Sequence, residues 1–333
     1  MEKLVQRKRR AAIINRILQM IKVKFNLKHL SGMLMRLRWD YLSLESLIEE
    51  VALDLLRVAA TRLPRDVKEA LKRAYEKERS PTGKIQLENI LKNVRLAEDL
   101  ERPICQDTGL ITFYLKVNPD FPSLNIIEEA LIRAVRRATA EVPLRPNAVD
   151  PINQKNTGDN VGVNVPFINW QIIKDKYLEI TVLPKGGGSE NTCKLAMLTP
   201  GEGIDGMKKF VIETVIEAGA KPCPPTIIGV GMGGGADISM HLAKRALMRP
   251  IDKPHKEERI ANLERDLLDM INMTGIGPMG LGGDTTSLSV KIEYASRHPA
   301  SFPVAVAFQC WCARRATARI YLDGTVEWIT HKI

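Results

Sequence analysis

The sequence has no run of about 18 or more apolar residues, and its amino terminus does not follow the signal-peptide order of basic region, apolar core and small-residue cleavage site. These absences disfavour membrane-spanning and secreted classes, and we expect a soluble cytoplasmic protein. No internal repeat or low-complexity segment is present, which excludes solenoid and fibrous architectures. Apolar residues form 44% of the 333 residues, enough to bury the core of one large or two ordinary domains.

Cysteine is scarce as well, with five residues spread over the chain. An odd and scattered set does not resemble a disulfide framework, so structural thiols, metal ligands and redox groups remain open. There is no C-x2-C pair, so local spacing supports neither a zinc ribbon nor a ferredoxin-type cluster.

Basic charge is concentrated at the amino terminus. Residues 1–40 hold 11 Lys or Arg against two acidic groups, a net +9, which leaves residues 41–333 with 38 basic and 37 acidic groups, a net +1. A nearly neutral body argues against nucleic-acid binding, which needs clustered cations. We interpret residues 1–42 as a basic extension and residues 43–333 as the folded domain. The extension could instead bind polyanions, be a targeting segment, or precede a true start at Met33 or Met35.

Helical periodicity dominates the first hundred residues. The segment "SLIEEVALDLLRVAATRL" opens with Ser46 and Glu49 in capping-box spacing, which predicts a helix that begins at Ser46. "DVKEALKRAYEKE" and "GKIQLENILKNVRLAEDL" continue the pattern. Further helices are predicted in "IIEEALIRAVRRATAEV", "GMKKFVIETVIEAGA", which Gly219 ends, and "KEERIANLERDLLDMINM".

Strand patterns follow in the rest of the chain. "LITFYLKV", "TTSLSVKIEYA" and "PVAVAFQC" are rich in β-branched and aromatic residues, "INWQII" and "YLEITVL" indicate a hairpin around "KDK", and "RATARIYLDGTVEWI" has a hairpin turn at Asp323-Gly324. Helices and strands do not alternate strictly. The sequence predicts a mixed α/β fold of the α+β type, with a helical amino-terminal portion packed on antiparallel-rich sheets.

Several turn-rich segments carry residues suited to chemistry. Cys105 in "ICQDTG" and Cys223 in "KPCPPT" occupy irregular segments where a thiol can face a cavity, although an isolated cysteine is more commonly a small buried hydrophobe. "PKGGGSEN" could cradle an anion on backbone N–H groups with the charge of Lys185, or be an ordinary flexible loop. Arg145 in "PLRPNAVDP" is suited to bidentate carboxylate binding, and His298 in "SRHPASFP" to acid–base or orienting roles, although either could be a surface residue.

A dinucleotide fingerprint also has to be weighed. Gly229, Gly231 and Gly234 in "GVGMGGGADIS" satisfy G-x-G-x-x-G between a predicted strand and a predicted helix. No second mononucleotide-binding half follows this unit, which argues against a nicotinamide or flavin site. A nicotinamide-binding oxidoreductase is therefore kept only as a distant alternative.

Taken in order, "ICQDTG", "PLRPNAVD", "KGGGSEN", "CPPTIIGVGMGG", "LAKRALMRPI", "SRHPASFPVAVAFQCW" and "RRA" resemble the class I fumarate hydratase and tartrate dehydratase family. The resemblance is closest to the α subunit of its two-subunit members and covers roughly residues 45–333. It implies a hydro-lyase with a [4Fe–4S] cluster held by Cys105, Cys223 and Cys310, whose fourth iron faces the substrate.

The same resemblance implies the substrate contacts. Asp107 and His298 are expected to act in catalysis, and Gln106, Arg145 and Gly188 to bind a small dicarboxylate. Cys193 is expected to be a packing residue, and Cys312 to point away from the open iron or lie too far from it.

Length also matters within this resemblance. Single-chain members continue for about another domain, whereas this chain ends 23 residues after Cys310. The resemblance therefore implies half an active site, completed by a β subunit in an α2β2 heterotetramer. The expected reaction is the fumarate–malate step of the tricarboxylic acid cycle, because "KGGGSEN" favours it. L(+)-tartrate dehydration to oxaloacetate is the alternative.

Overall fold

The structure is a computed structural model that describes residues 28–122 and 124–332. The chain divides into two compact units, residues 1–47 and 48–333, and all candidate site residues lie in the second. Within the described residues, the helices are α1 (Lys28–Thr61), α2 (Arg65–Lys77), α3 (Pro81–Asp99), α4 (Leu124–Glu141), α5 (Gly187–Glu190), α6 (Gly203–Ala218), α7 (Ala236–Ala246) and α8 (Glu258–Asn272).

The predicted helix start at Ser46 is wrong, because α1 already runs through Ser46 from Lys28. Residues 28–45 are rich in Leu, Met and Arg, which are strong helix formers, so the helix continues through the apparent capping box. The other predicted helices are present, and Gly219 ends α6 with a φ of +52°. Residues 1–27, most of the predicted basic extension, lie outside the described residues.

The strands form two mixed, antiparallel-rich sheets. A five-stranded sheet has the order β2-β1-β3-β8-β9, and a four-stranded sheet has the order β4-β7-β5-β6. Among the strands of residues 28–122 and 124–332, only the pairs β1–β2 and β5–β6 are parallel. The strands are β1 (Leu110–Val117), β2 (Phe167–Ile172), β3 (Tyr177–Lys185), β4 (Lys194–Leu198), β5 (Thr226–Gly234), β6 (Ser287–Arg297), β7 (Phe302–Gln309), β8 (Ala316–Tyr321) and β9 (Val326–Trp328).

One predicted hairpin is wrong in its pairing. β2 and β3 both form, but β1 lies between them, parallel to β2 and antiparallel to β3, so that Thr112 faces both Phe167 and Leu183. β1 buries alternate side chains and pairs along both of its edges, whereas β2 is largely exposed and occupies the edge of the sheet. The second predicted hairpin is confirmed: β8 and β9 pair antiparallel around Gly324, whose φ is +84°.

Helices cover both faces of the four-stranded sheet, which confirms the α+β prediction. Ile227 packs in a core with residues of α2, α3 and α7, whereas Ile228 and Val230 pack in a second core with residues of α6 and α8. Alternate side chains of β5 therefore serve opposite layers, as the two-residue period of a strand requires.

Two glycines of the apparent dinucleotide fingerprint serve helix packing. Gly229 and Gly231 lie inside β5, and a Cβ atom added there would lie 2.1 Å from the Ala243 carbonyl oxygen and 1.9 Å from the Ser239 carbonyl oxygen, respectively. Both oxygens belong to α7, which therefore lies directly on the strand. The first glycines of a phosphate-binding turn would have to follow the strand, so this geometry argues against the dinucleotide interpretation.

We expect Gly231→Ala to lower the free energy of unfolding by about 1–3 kcal/mol, because α7 would have to move away from β5. Gly201→Ala is the matched control, since a Cβ there meets no atom within 4 Å. Urea unfolding of both variants measures the difference. Equal stability of the two variants would contradict the close contact.

Candidate functional site

The three cysteines of the predicted ligand set lie at strand ends. Cys105 precedes β1, Cys223 precedes β5 and Cys310 follows β7. Because Ile227 pairs with Gln309, Cys223 and Cys310 leave the same end of the four-stranded sheet. A backbone bond from the Trp311 N–H to the Cys223 carbonyl (3.1 Å) joins these two segments.

Cys105 is brought to the same place by a different contact. Arg314 Nη1 donates to the Asp107 carbonyl at 2.7 Å, which ties the segment after Cys105 to the segment after Cys310. The thiols interact electrostatically: burial raises the pKa of Cys223, and the charges of Cys105 and Asp107 raise it further. The fold thus gathers thiols from three distant parts of the sequence.

Cys310 has a more mixed environment. Burial raises the pKa of its thiol, Arg314 and the Cys312 backbone N–H lower it, and the charges of Cys105 and Cys223 raise it again. Thiols in such a setting stay protonated unless a cation takes the place of the proton, and a metal does so when it binds thiolate.

The backbone at Cys223 is held in an unusual conformation. Its φ is +53°, in the left-handed region that costs a residue other than glycine about 1–2 kcal/mol. The Cys223 N–H bonds to the Ala220 carbonyl at 2.9 Å, which helps to hold this geometry. Such local strain is concentrated at functional sites because the surrounding structure must enforce it.

The remaining two cysteines have packing environments. Cys312 is only 2% exposed and lies in the apolar core beside Ala313, and the chain bends at Trp311 and Cys312. The Cys193 thiol donates to the Ser189 carbonyl at 3.5 Å. Their lack of influence on a cluster stays a prediction.

Asp107 occupies the centre of the site and is fixed by three donors. Its Oδ2 accepts from the Gly187 N–H at 2.8 Å, and its Oδ1 accepts from the Gly109 N–H at 3.0 Å and from Asn147 Nδ2 at 3.3 Å. A Cβ atom on Gly186 would lie 2.9 Å from Oδ2, so the glycine run lets the backbone approach this carboxylate. The carboxylate is preorganised at the point where the β1 and β3 segments meet.

The glycine segment is not the ordinary flexible loop that was one alternative from the sequence. It folds into α5, and Lys185 is 6% exposed, with its ammonium 3.0 Å from Glu190 Oε2 and 3.2 Å from Ser189 Oγ. The charge of Lys185 is therefore already neutralised within the chain. Gly188, by contrast, is exposed in this short helix.

The predicted substrate-binding side chains are open to solvent. Gln106 and Arg145 are both exposed, and the backbone of Arg145 is held by Thr108, whose Oγ1 accepts from the Arg145 N–H at 3.0 Å. This bond places Arg145 next to the segment that carries Gln106 and Asp107. An exposed guanidinium on a fixed backbone is suited to bind a carboxylate.

His298 is not brought together with the other predicted residues. It lies in the turn after β6, and β6 pairs with β5 so that Arg297 faces Gly234, at the opposite end of the sheet from Cys223. Gly234 lies seven residues after Ile227 along β5, a distance of about 23 Å at the usual rise. His298 and Cys310 are close in sequence, but the extended strand β7 lies between them. The two residues therefore lie at opposite ends of the sheet.

Sequence reasoning missed Arg314. Its side chain is 2% exposed, and its Nε has no hydrogen-bond partner among the described residues. The only signal available in the sequence was its place in "RRA", four residues after Cys310. The adjacent Arg315 lies in a different environment.

The donor set fits an iron–sulfur cluster. Three free thiols lie on segments that hydrogen bonds join, with the buried Arg314 on one of these segments, and thiolates are the usual ligands of such clusters. Across residues 28–122 and 124–332, no three or more His, Cys, Asp or Glu side chains are arranged to hold a single metal ion. A cluster differs in that each thiolate binds a different iron, which spaces the sulfurs more widely.

Comparisons with known proteins agree with these features. The family model described as fumarate hydratase (Fumerase) matches residues 49–319. A protein of Methanocaldococcus jannaschii, provisionally named L(+)-tartrate dehydratase subunit alpha, is 49% identical over 83% of this chain and 99% of its own length. The L(+)-tartrate dehydratase subunits alpha of Escherichia coli K12 and Shigella boydii serotype 4 are each 39% identical over 85% of this chain and 94% of their own length.

Proposed function

Because the chain belongs to the class I fumarate hydratase family, we propose that it is the α subunit of an iron–sulfur hydro-lyase that interconverts fumarate and (S)-malate together with a β subunit. The observation that carries the proposal is that hydrogen bonds join the segments of Cys105, Cys223 and Cys310 beside the fixed carboxylate of Asp107. Residues 43–333 would form the catalytic domain, and residues 1–42 an extension of it.

Cys105, Cys223 and Cys310 would hold a [4Fe–4S] cluster. When bound, the cluster supplies a Lewis-acidic iron that weakens the carbon–oxygen bond of a 2-hydroxy acid. Asp107 would move the proton at the hydroxyl oxygen as that bond breaks or forms, and Arg145 would bind a substrate carboxylate. Gln106 and the Gly188 N–H would add polar contacts that fix the orientation of the substrate.

A second subunit is supported by the names of the relatives and by the exposed surface next to the site. Six large apolar residues between positions 149 and 172 are 43–91% exposed: Val149, Ile152, Val163, Phe167, Trp170 and Ile172. The same segment is bonded to the site through Asn160, whose Nδ2 donates to the Arg145 carbonyl at 3.1 Å. Exposed apolar surface of this kind marks protein interfaces, and we assign it to the β subunit.

His298 would act on the same substrate only if a second copy of the chain brought it to the site. An α2β2 assembly contains two α subunits and so provides that copy. Among the described residues, no helix has the length and apolar character needed to cross a membrane. A cytoplasmic location stays a prediction.

L(+)-tartrate is the second candidate substrate, because the relatives reported above carry that name. Tartrate has one hydroxyl more than malate, and selecting it requires polar partners that hydrogen-bond this group. We assign such partners to the β subunit.

The test is anaerobic purification of the chain with and without its β subunit. We expect about four iron and four sulfide per chain, and turnover of fumarate and (S)-malate only in the complex. (R)-Malate is the control substrate, and L(+)-tartrate is assayed in parallel. Faster turnover of L(+)-tartrate would identify tartrate as the substrate. Full activity without the β subunit would contradict the split site. A wild-type chain without iron would overturn the proposal.

A further inference from the structure

Arg314 is a buried guanidinium whose charge is not balanced by a described carboxylate contact. Only Nη1 has a described acceptor, the Asp107 carbonyl at 2.7 Å, while Nε is buried without one. A guanidinium carries five N–H donors and stays charged in proteins, so burying it without a negative partner is costly. An acceptor with negative charge is therefore expected beside Nε.

Cysteine thiols and Asp107 are the groups that act electrostatically on Arg314. Burial lowers the pKa of Arg314, but the charges of Cys312, Cys310, Cys105 and Asp107 raise it above its usual value. Among the described residues, the Asp107 carboxylate accepts bonds from Gly187, Gly109 and Asn147 and none from Arg314, so Nε is open to a sulfur acceptor from the cysteine segments. Cys105 lies two residues before Asp107, whose carbonyl accepts from Arg314, and Cys310 lies four residues before Arg314, so these two predicted ligands lie on the segments that this hydrogen bond joins.

We propose that Arg314 is a positioning residue with two tasks: it holds the Asp107 backbone in place, and it supplies the fixed positive charge that balances the cysteine thiolates and the cluster they would carry. The inference rests on the proposed function. Hydrogen bonds and charge near the sulfurs set the potential and stability of such clusters. A residue with both tasks couples the electronic state of the cluster to the position of the carboxylate.

Two substitutions separate the tasks. Arg314→Gln removes the charge and keeps an N–H donor, whereas Arg314→Lys keeps the charge and loses the planar fork whose Nη1 bonds to the Asp107 carbonyl. Arg315→Gln is the matched control, because Arg315 is equally buried at 4% exposure but pairs with Asp66. Its loss should reduce stability without changing the cluster.

The experiment is an anaerobic redox titration of the αβ complex followed by electron paramagnetic resonance, with the rate of iron loss to a chelator and kcat measured on the same samples. We expect Arg314→Gln to shift the midpoint potential to more negative values, because the reduced cluster, which is more negative, would no longer be stabilised by a nearby positive charge. We also expect this variant to lose iron about tenfold faster. Arg314→Lys should restore the potential but not kcat.

Distinct outcomes separate this role from the function itself. A wild-type complex that holds no cluster would overturn both. A normal cluster in the wild type, with an unchanged potential in Arg314→Gln or an equal shift in Arg315→Gln, would overturn the role of Arg314 alone. If Arg314→Gln does not fold, a shifted potential in Arg314→Lys would also count against the charge-balancing role.

Discussion

Serine in place of Cys223 is expected to abolish both iron binding and hydro-lyase activity, and the same result is expected for Cys105→Ser and Cys310→Ser. A hydroxyl is a far poorer ligand for iron than a thiolate. Because the chain would supply only three cysteine ligands, no other ligand replaces the one that is lost. Iron, sulfide and the visible absorbance of the αβ complex, prepared anaerobically, measure the loss. The expected residual activity is at or below detection, because the leaving hydroxyl would lose its Lewis acid.

Two cysteine variants serve as controls. Cys193→Ser keeps a donor for the Ser189 carbonyl, and Cys312→Ala keeps an apolar group in the core, so both should retain the cluster. Cys312→Ala should cost some stability by leaving a small cavity. Loss of iron in either control, or a full cluster in any of the three serine variants, would show that the assigned ligand set is wrong.

Asp107→Asn is expected to lower kcat by about 10²–10⁴-fold while the cluster spectrum stays intact, since general acid–base groups contribute in this range. The amide has almost the same shape as the carboxylate but cannot take up or release the proton. One of its oxygen positions becomes an NH₂ group that faces an N–H donor, so a modest loss of stability is also expected.

Asp120→Asn is the control for Asp107→Asn. Asp120 is exposed in the turn after β1 and lies outside the site, so its replacement should change neither kcat nor iron content. Steady-state kinetics with fumarate and thermal unfolding of both variants separate a chemical effect from a structural one. Turnover near the wild-type value in Asp107→Asn would remove its proposed role.

The sequence predicted local elements better than long-range neighbours. The bounds of β1 follow from its run of β-branched and aromatic residues, and the helices were predicted from the periodic spacing of their apolar residues. The pairing of β2 with β1 was not predictable, because it depends on which strand can bury its side chains and satisfy both edges at once. Local composition carries no information about that competition.

The site shows the same limit at the level of single residues. Asp107 could be anticipated because its contacts lie in neighbouring motifs, whereas His298 was grouped with the cysteines although an extended β7 carries it to the other end of the sheet. Arg314 was passed over because two adjacent arginines look alike in sequence. Their partners differ, Asp107 for one and Asp66 for the other, and only the fold reveals this.

The position of the three thiols at strand ends has a mechanical consequence. Cys105 leads into the five-stranded sheet, whereas Cys223 and Cys310 flank the four-stranded sheet, so a cluster would act as a cross-link between the two. Destruction of the cluster by oxygen would therefore remove both the catalytic iron and the cross-link between the two sheets. Amide hydrogen exchange at the ends of β1, β5 and β7 would then rise, and the damaged chain would offer those ends to proteases.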